Sequence, residues 1–138
     1  MRINLKKVLI TVITLVVVFS VNANDISQNE LSTQMRSINK PVIIDVRTVE
    51  EYSVGHIPGA INIPHLQIQM KMKALLALKD KDVVLYCRSG RRAIIAKEYL
   101  ISAGFSKLTH LDGDFNAWSA NKMPTEKGNN KNLMTPWG

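Results

Sequence analysis

The chain has a single cysteine, and its neighbours decide what chemistry it can do. Cys87 follows the apolar run Val83-Val84-Leu85-Tyr86 and leads into Arg88-Ser89-Gly90-Arg91-Arg92, after which helical apolar spacing begins. A loop that leaves the carboxyl end of a buried strand and enters the amino end of a helix lies on the edge where open α/β sheets bind ligands. The first backbone N–H groups of such a helix have no internal partners and face the loop. Gly90 lets the backbone curl without a Cβ clash, so several amides can converge on one atom as an anion-holding nest. Arg88, Arg91 and Arg92 surround that nest with positive charge. A thiol titrates ordinarily near pH ~8.5, and helix N-termini and nearby cations lower that value by one or more units. The alternative is an inert buried cysteine, which is common at strand ends. The glycine and the three arginines favour a reactive thiolate, with Cys87 as nucleophile and residues 88–92 as its anion-binding surround.

Other polar residues take supporting roles. Asp45 ends a strand on the same sheet edge and is expected to steady the loop by pairing with Arg47 or a loop arginine. Arg47 and Glu51, spaced i and i+4, are expected to form a helix ion pair. His56 sits in Gly55-His56-Ile57-Pro58-Gly59; a turn histidine held by hydrogen bonds is the reading preferred over a base for Cys87. His65 and His110 have no ligand-like spacing to each other or to Cys87, so no metal site is expected. Trp118 reads as a core anchor, and Met70 and Met72 as gap-filling core.

The elements that must position these residues follow from local pattern. Ser27 to Glu30 has the form of a capping box opening a short helix, with Leu31, Met35 and Ile38 on one apolar face. Val42-Ile43-Ile44-Asp45-Val46 is a continuous β-branched run, the mark of a strand buried on both faces of a parallel sheet. Thr48, with Glu51 three residues on, caps another short helix closed by Gly55, and Pro58-Gly59 makes a turn. Residues 60–63 form a brief strand. Leu66 to Leu78 suggests a helix of imperfect period, and Val83 to Tyr86 a strand. Ala96, Tyr99, Leu100 and Ala103 mark an amphipathic helix ending at Gly104. Leu108 to Leu111 is a last strand, and Asp114 to Ala120 a final short helix. Alternating strands and helices imply an α/β fold: a central parallel sheet with helices on both faces.

The ends of the chain read differently. Arg2, Lys6 and Lys7 precede an apolar run from Val8 to Phe19, and Val21-Asn22-Ala23 has the form of a cleavage site. Residues 1–23 are therefore expected to be a secretory signal cut near Ala23, because the run falls short of the ~20 residues that a retained span needs. The protein is expected to be periplasmic or otherwise exported, with no stable membrane insertion after cleavage. Removing those three side chains from 18 basic ones leaves 15 against 11 acidic, a net charge of +4. That balance, without an aromatic-plus-basic recognition motif, gives no support for nucleic-acid binding. One cysteine excludes an internal disulfide in an oxidising compartment. Residues 24–124 then form one domain, and 125–138, rich in Asn, Lys and Gly, a flexible tail.

These motifs together resemble the rhodanese family. Cys87 to Arg92 is similar to its six-residue active-site loop. Asp45-Val46-Arg47, Glu51-Tyr52 and Gly55 to Pro64 are similar to the segment that precedes that loop. Leu111-Asp112-Gly113, Ala117-Trp118 and Pro124 are similar to the closing segment. Two positions depart from the pattern: Asp114 stands at the second glycine of the closing segment, and Lys122 where a glycine commonly precedes the final proline. The resemblance implies a rhodanese-like fold and a sulfurtransferase. In it, a Cys87 persulfide carries sulfur from a small anionic donor such as thiosulfate to a nucleophilic acceptor, cyanide or a thiol, with no cofactor. Phosphatases of the same fold place an arginine six positions after the cysteine; here that position is Ala93, and the shorter loop suits one extra sulfur better than a phosphoryl group. The alternatives are a non-catalytic binding module of the same fold and a cysteine-dependent phosphatase or arsenate reductase.

Overall fold

Two apolar tetrads make the centre of the sheet. Val42–Asp45 (β2) and Val83–Tyr86 (β4) pair in parallel with Ile44 opposite Leu85 and Asp45 opposite Tyr86. All four β4 residues are buried, as both faces of a covered parallel strand must be. The computed structural model describes residues 25–128. Around the central pair stand Asp25–Ile26 (β1), Ile61–Asn62 (β3) and Leu108–Leu111 (β5), in the spatial order β1-β5-β4-β2-β3, with every pairing parallel. The helices are Gln28–Gln34 (α1), Val49–Val54 (α2), Met72–Leu75 (α3), Arg91–Ser102 (α4) and Asp114–Ala120 (α5).

The two-residue period of the strands sorts the core into two layers. Ile44, Val83 and Leu85 point to one face and meet Leu75 of α3 with Ala93, Ala96 and Leu100 of α4. Ile43, Val84 and Tyr86 point to the other and meet Leu31 of α1, Tyr52 of α2 and Trp118 of α5. The mixed α/β architecture read from the sequence is the one observed.

The local expectations fail at four places. Leu66–Leu78 is not one helix but a 3-10 turn at His65–Gln67, the four-residue α3 and a second 3-10 turn at Leu76–Leu78. Ile68, Leu75 and Leu78 are buried on one side of the segment, but none of these short helices has a side-chain cap. Met70 is accordingly 84% exposed rather than core, whereas Met72 packs against the α4 layer. Helix α1 ends with Met35 as its C-cap, so Ile38 lies beyond it in solvent. Ser27 accepts from the Glu30 N–H as expected of a cap. Tyr99 is exposed, and the buried face of α4 is Ala93, Ala96 and Leu100. Finally, Asp25–Ile26 is a strand paired to β5, an element absent from the sequence reading. Two residues are too few to carry a periodic signal.

At the other end, Glu126 pairs backbone-to-backbone with His56, both bonds 2.9 Å, and the Gly128 N–H reaches the Ser53 carbonyl. The expected signal segment and residues 129–138 lie outside the described residues. Among the described residues no helix is long and apolar enough to cross a membrane.

Candidate active site

The loop after β4 is set by one backbone angle. Gly90 has φ +119, a conformation that L side chains rarely adopt, and a Cβ there would lie 3.2 Å from a carboxylate oxygen of Asp114. This turn brings the Gly90 N–H to 3.0 Å from the Cys87 sulfur, which accepts its hydrogen bond. Gly90 is also the N-cap of α4, so the thiol lies at that helix's amino end. Cys87 is 1% exposed, while Arg88, Ser89 and Arg91 face solvent.

Arg92 is held by Glu51, and it also feels the field of Cys87. Its two terminal nitrogens donate to the two carboxylate oxygens of Glu51 at 2.6 and 2.9 Å. Glu51 also closes a full capping box on α2: its Oε2 accepts the Thr48 N–H, and the Thr48 hydroxyl accepts the Glu51 N–H. The Arg92 hydrogen bonds, opposed by burial and helped by Thr48, pull the Glu51 carboxyl down to about 2. The Glu51 hydrogen bonds likewise raise the Arg92 guanidinium.

The expected Arg47–Glu51 ion pair does not form. Arg47 lies two residues before α2 begins, so helical i,i+4 geometry does not apply to it. It folds inward instead: Nη2 donates to Asp45 Oδ2 at 2.6 Å and to the Gly55 carbonyl at 2.7 Å, and Nε reaches Asp45 as well. The guanidinium carbon lies 4.0 Å from the Phe115 ring centroid. Burial works against this charge, yet the Asp45 hydrogen bonds and field hold its pKa above the ordinary value. Asp45 thus pairs with Arg47 rather than with a loop arginine, and Asn62 locks the junction by donating to the carbonyls of Asp45 and Arg47. His56 donates from Nδ1 to the Tyr52 carbonyl at 2.8 Å and stacks on the Tyr52 ring at 3.6 Å. It braces the end of α2.

One part of the surround was missed by sequence reasoning. Asp114, 2% exposed, accepts the Cys87 N–H on Oδ1 at 2.9 Å, and both its oxygens lie 3.0 Å from His110 Nε2. Next to it, the Phe115 and Asn116 N–H groups donate to the carbonyls of Cys87 and Arg88. The signal was present: an acidic residue replaces a glycine at the start of a helix, with a histidine four residues earlier. Both departures from the family pattern, Asp114 and Lys122, have φ +53, the backbone twist for which glycine is suited.

Beside Arg88 opens a cleft of about 550 Å³ between α2 and α5, lined among others by Arg47, Glu50, Phe115 and Asn116. Among the described residues no group of three His, Cys, Asp or Glu side chains is placed to hold a metal ion. A strand-end thiol under a glycine amide at a helix amino end, next in sequence to the cleft-lining Arg88, can act as a nucleophile and hold the resulting anion.

The model of the rhodanese-like domain family matches residues 27–121. The chain belongs to that family. It is 35% identical over 101 residues to a sulfurtransferase of Allochromatium vinosum, covering 73% of this chain and 92% of that one. It is 33% identical over 94 residues to thiosulfate sulfurtransferase 16, chloroplastic, of Arabidopsis thaliana, covering 60% and 78%. The thiosulfate sulfurtransferase structure from Pseudomonas aeruginosa superposes with a TM-score of 0.64 at 28% identity, covering 77% of this chain but 20% of that one. Other curated relatives are longer, and the chain spans about half of their length or less. This rhodanese-like domain and its relatives support a sulfurtransferase-type function.

Proposed function

We propose that this rhodanese-like protein moves a sulfane sulfur from a small anionic donor, thiosulfate in the simplest case, to a nucleophilic acceptor through a persulfide on Cys87. The observation that carries the reading is the Gly90 N–H on the Cys87 sulfur at the amino end of α4. The thiolate attacks the outer sulfur of thiosulfate. A new S–S bond forms, the donor's S–S bond breaks, and sulfite leaves with the electron pair. The charge of the terminal sulfur then rests against backbone amides and the positive end of the helix. Cyanide or a thiolate attacks that sulfur, leaving as thiocyanate or a new persulfide, and Cys87 returns as thiolate. Nothing in these steps requires a cofactor. Arg88, exposed at the cleft mouth, steers a dianionic donor, while Ser89, Gly90, Arg91 and Arg92 complete the loop. The basic start and the apolar run from Val8 to Phe19 support an exported protein.

Intact mass of the exported protein tests these points together. Thiosulfate is expected to add one sulfur atom, ~32 Da, to the wild type and nothing to Cys87→Ser, as an obligate covalent intermediate requires. A serine variant that still gains the mass removes Cys87 as the carrier. The same spectrum reads the leader: a chain beginning close to Asn24 is expected, and the full-length mass would refute cleavage.

A further inference from the structure

Residues 114–116 hold Cys87 from behind. The Asp114 carboxylate takes the Cys87 N–H, and the Phe115 and Asn116 amides take the carbonyls of Cys87 and Arg88. The main chain of the nucleophile is therefore fixed on both of its polar groups by one short segment. A glycine at 114, the residue that the family pattern carries, would leave the Cys87 N–H and His110 without that carboxylate.

The arrangement carries a cost in charge. A buried carboxylate bonded to the amide of Cys87 opposes negative charge on the nearby sulfur unless something balances it. The group placed to do so is His110, 3.0 Å from both Asp114 oxygens. Three charged groups face the imidazole: Asp114 at the start of α5, Asp25 on β1 with a carboxylate oxygen 3.7 Å from Nδ1, and Lys97 on α4. The Asp114 hydrogen bond, opposed by burial and by Lys97 and helped by Asp25, raises His110 above its ordinary 6.5.

We infer that Asp114 and His110 are a positioning pair for Cys87: Asp114 fixes the nucleophile's backbone, and His110 holds the Asp114 carboxylate and balances its charge beside the sulfur. The inference rests on Cys87 being the reacting nucleophile. Its consequence is a Cys87 reactivity that depends on the protonation of His110.

The test measures alkylation of Cys87 by iodoacetamide and its sulfur loading by thiosulfate, from about pH 6 to 9, a range that starts below the ordinary histidine value and ends well above it. His110→Gln leaves the carboxylate unbalanced, and both rates near neutrality are expected to fall about tenfold, as for the loss of about 1.4 kcal/mol of charge balance. Asp114→Asn keeps an oxygen for the Cys87 N–H without the charge. Combined with His110→Gln, it is expected to restore both rates to within about twofold of wild type, since the lost term is charge balance rather than packing. The advantage of the wild type over His110→Gln is expected to shrink as pH rises through the raised His110 titration, because the neutral imidazole no longer balances the carboxylate. Asp114→Gly, at a backbone angle suited to glycine, is expected to load more slowly while remaining folded. A His110→Gln protein with wild-type rates and pH profile overturns the inference, and so does a double variant slower than His110→Gln alone. A wild type that shows the alkylation pattern but gains no mass from thiosulfate overturns the sulfur reading and leaves the pair standing.

Discussion

Two ion pairs flank the Cys87 loop, and they differ in burial and in the pH at which they respond. On one flank Arg92 and Glu51 tie the start of α4 to α2, with side chains 24% and 29% exposed. On the other, His110 and Asp114 tie β5 and α5 to Cys87 itself, at 17% and 2%. The first pair keeps its charges throughout the neutral range, because the Glu51 carboxyl is pulled down to about 2. The second contains an imidazole whose pKa is raised above its ordinary 6.5, chiefly by the Asp114 hydrogen bond. One flank is thus a constant strut through the neutral range, and the other changes its net charge as pH rises through the imidazole's titration.

The largest expected effect comes from cutting the strut. Arg92 is engaged on both terminal nitrogens by Glu51, so its contribution passes through that carboxylate. Arg92→Ala and Glu51→Ala are each expected to cost about 1.5–3 kcal/mol of stability, the range for hydrogen bonds to charged groups. The double variant should cost little more than Glu51→Ala alone, because Arg92 and Glu51 share one interaction and Glu51 also closes the α2 cap. Denaturant unfolding of the three variants checks this. Additive losses would mean that Arg92 acts on the loop independently of Glu51, and the contrast between the flanks would weaken.

The same contrast predicts opposite pH limbs. The folded Glu51 lies below its ordinary 4.5, so its contribution is fully present above that value and is lost as pH falls through about 2. The folded His110 lies above its ordinary 6.5, so its contribution is fully present below that value and is lost as pH rises through the folded one. Unfolding midpoints across pH should therefore show the acid loss flattened in Glu51→Gln and the alkaline loss flattened in His110→Gln. Variants that flatten the same limb would show that the two flanks are not separate.

How far the sequence revealed each flank follows from the range of the signals. The Cys87 loop, the Thr48–Glu51 cap and the tetrads of β2 and β4 were legible, because each is a local pattern in which neighbouring residues explain one another. For Arg47 the sequence offered two partners, Glu51 on helical spacing and Asp45 at the same sheet edge; Asp45 is the one observed, and burial beneath Phe115 decided between them. The Arg92–Glu51 pair spans 41 positions and the Cys87–Asp114 bond 27. No periodicity reports contacts at such separations; only the fold closes them. Asp114 and Lys122 stood out as departures from a glycine pattern, and the sequence did not show that one is wired into the site while the other is exposed.

Those two positions also measure the back flank on its own. Asp114 and Lys122 bound α5 and share φ +53, but Asp114 is buried among its hydrogen bonds and Lys122 is exposed. The left-handed region costs an L residue roughly 1–2 kcal/mol, which aspartate tolerates better than lysine does, while a new glycine gives back about 0.5–1 kcal/mol through the unfolded chain. Lys122→Gly is therefore expected to stabilise slightly, by up to about 1 kcal/mol, with nothing lost in exchange. Asp114→Gly gains no more than that on the backbone and leaves the Cys87 N–H without its acceptor, worth about 1–3 kcal/mol when buried, so it is expected to destabilise. Unfolding midpoints at unchanged denaturant slope give the difference between the two substitutions, and that difference is the worth of the Asp114 side chain with the shared backbone cost removed. If Asp114→Gly stabilises as much as Lys122→Gly, the bonds to Cys87 and His110 add nothing to the fold, and the back flank would act on the charge of the site alone.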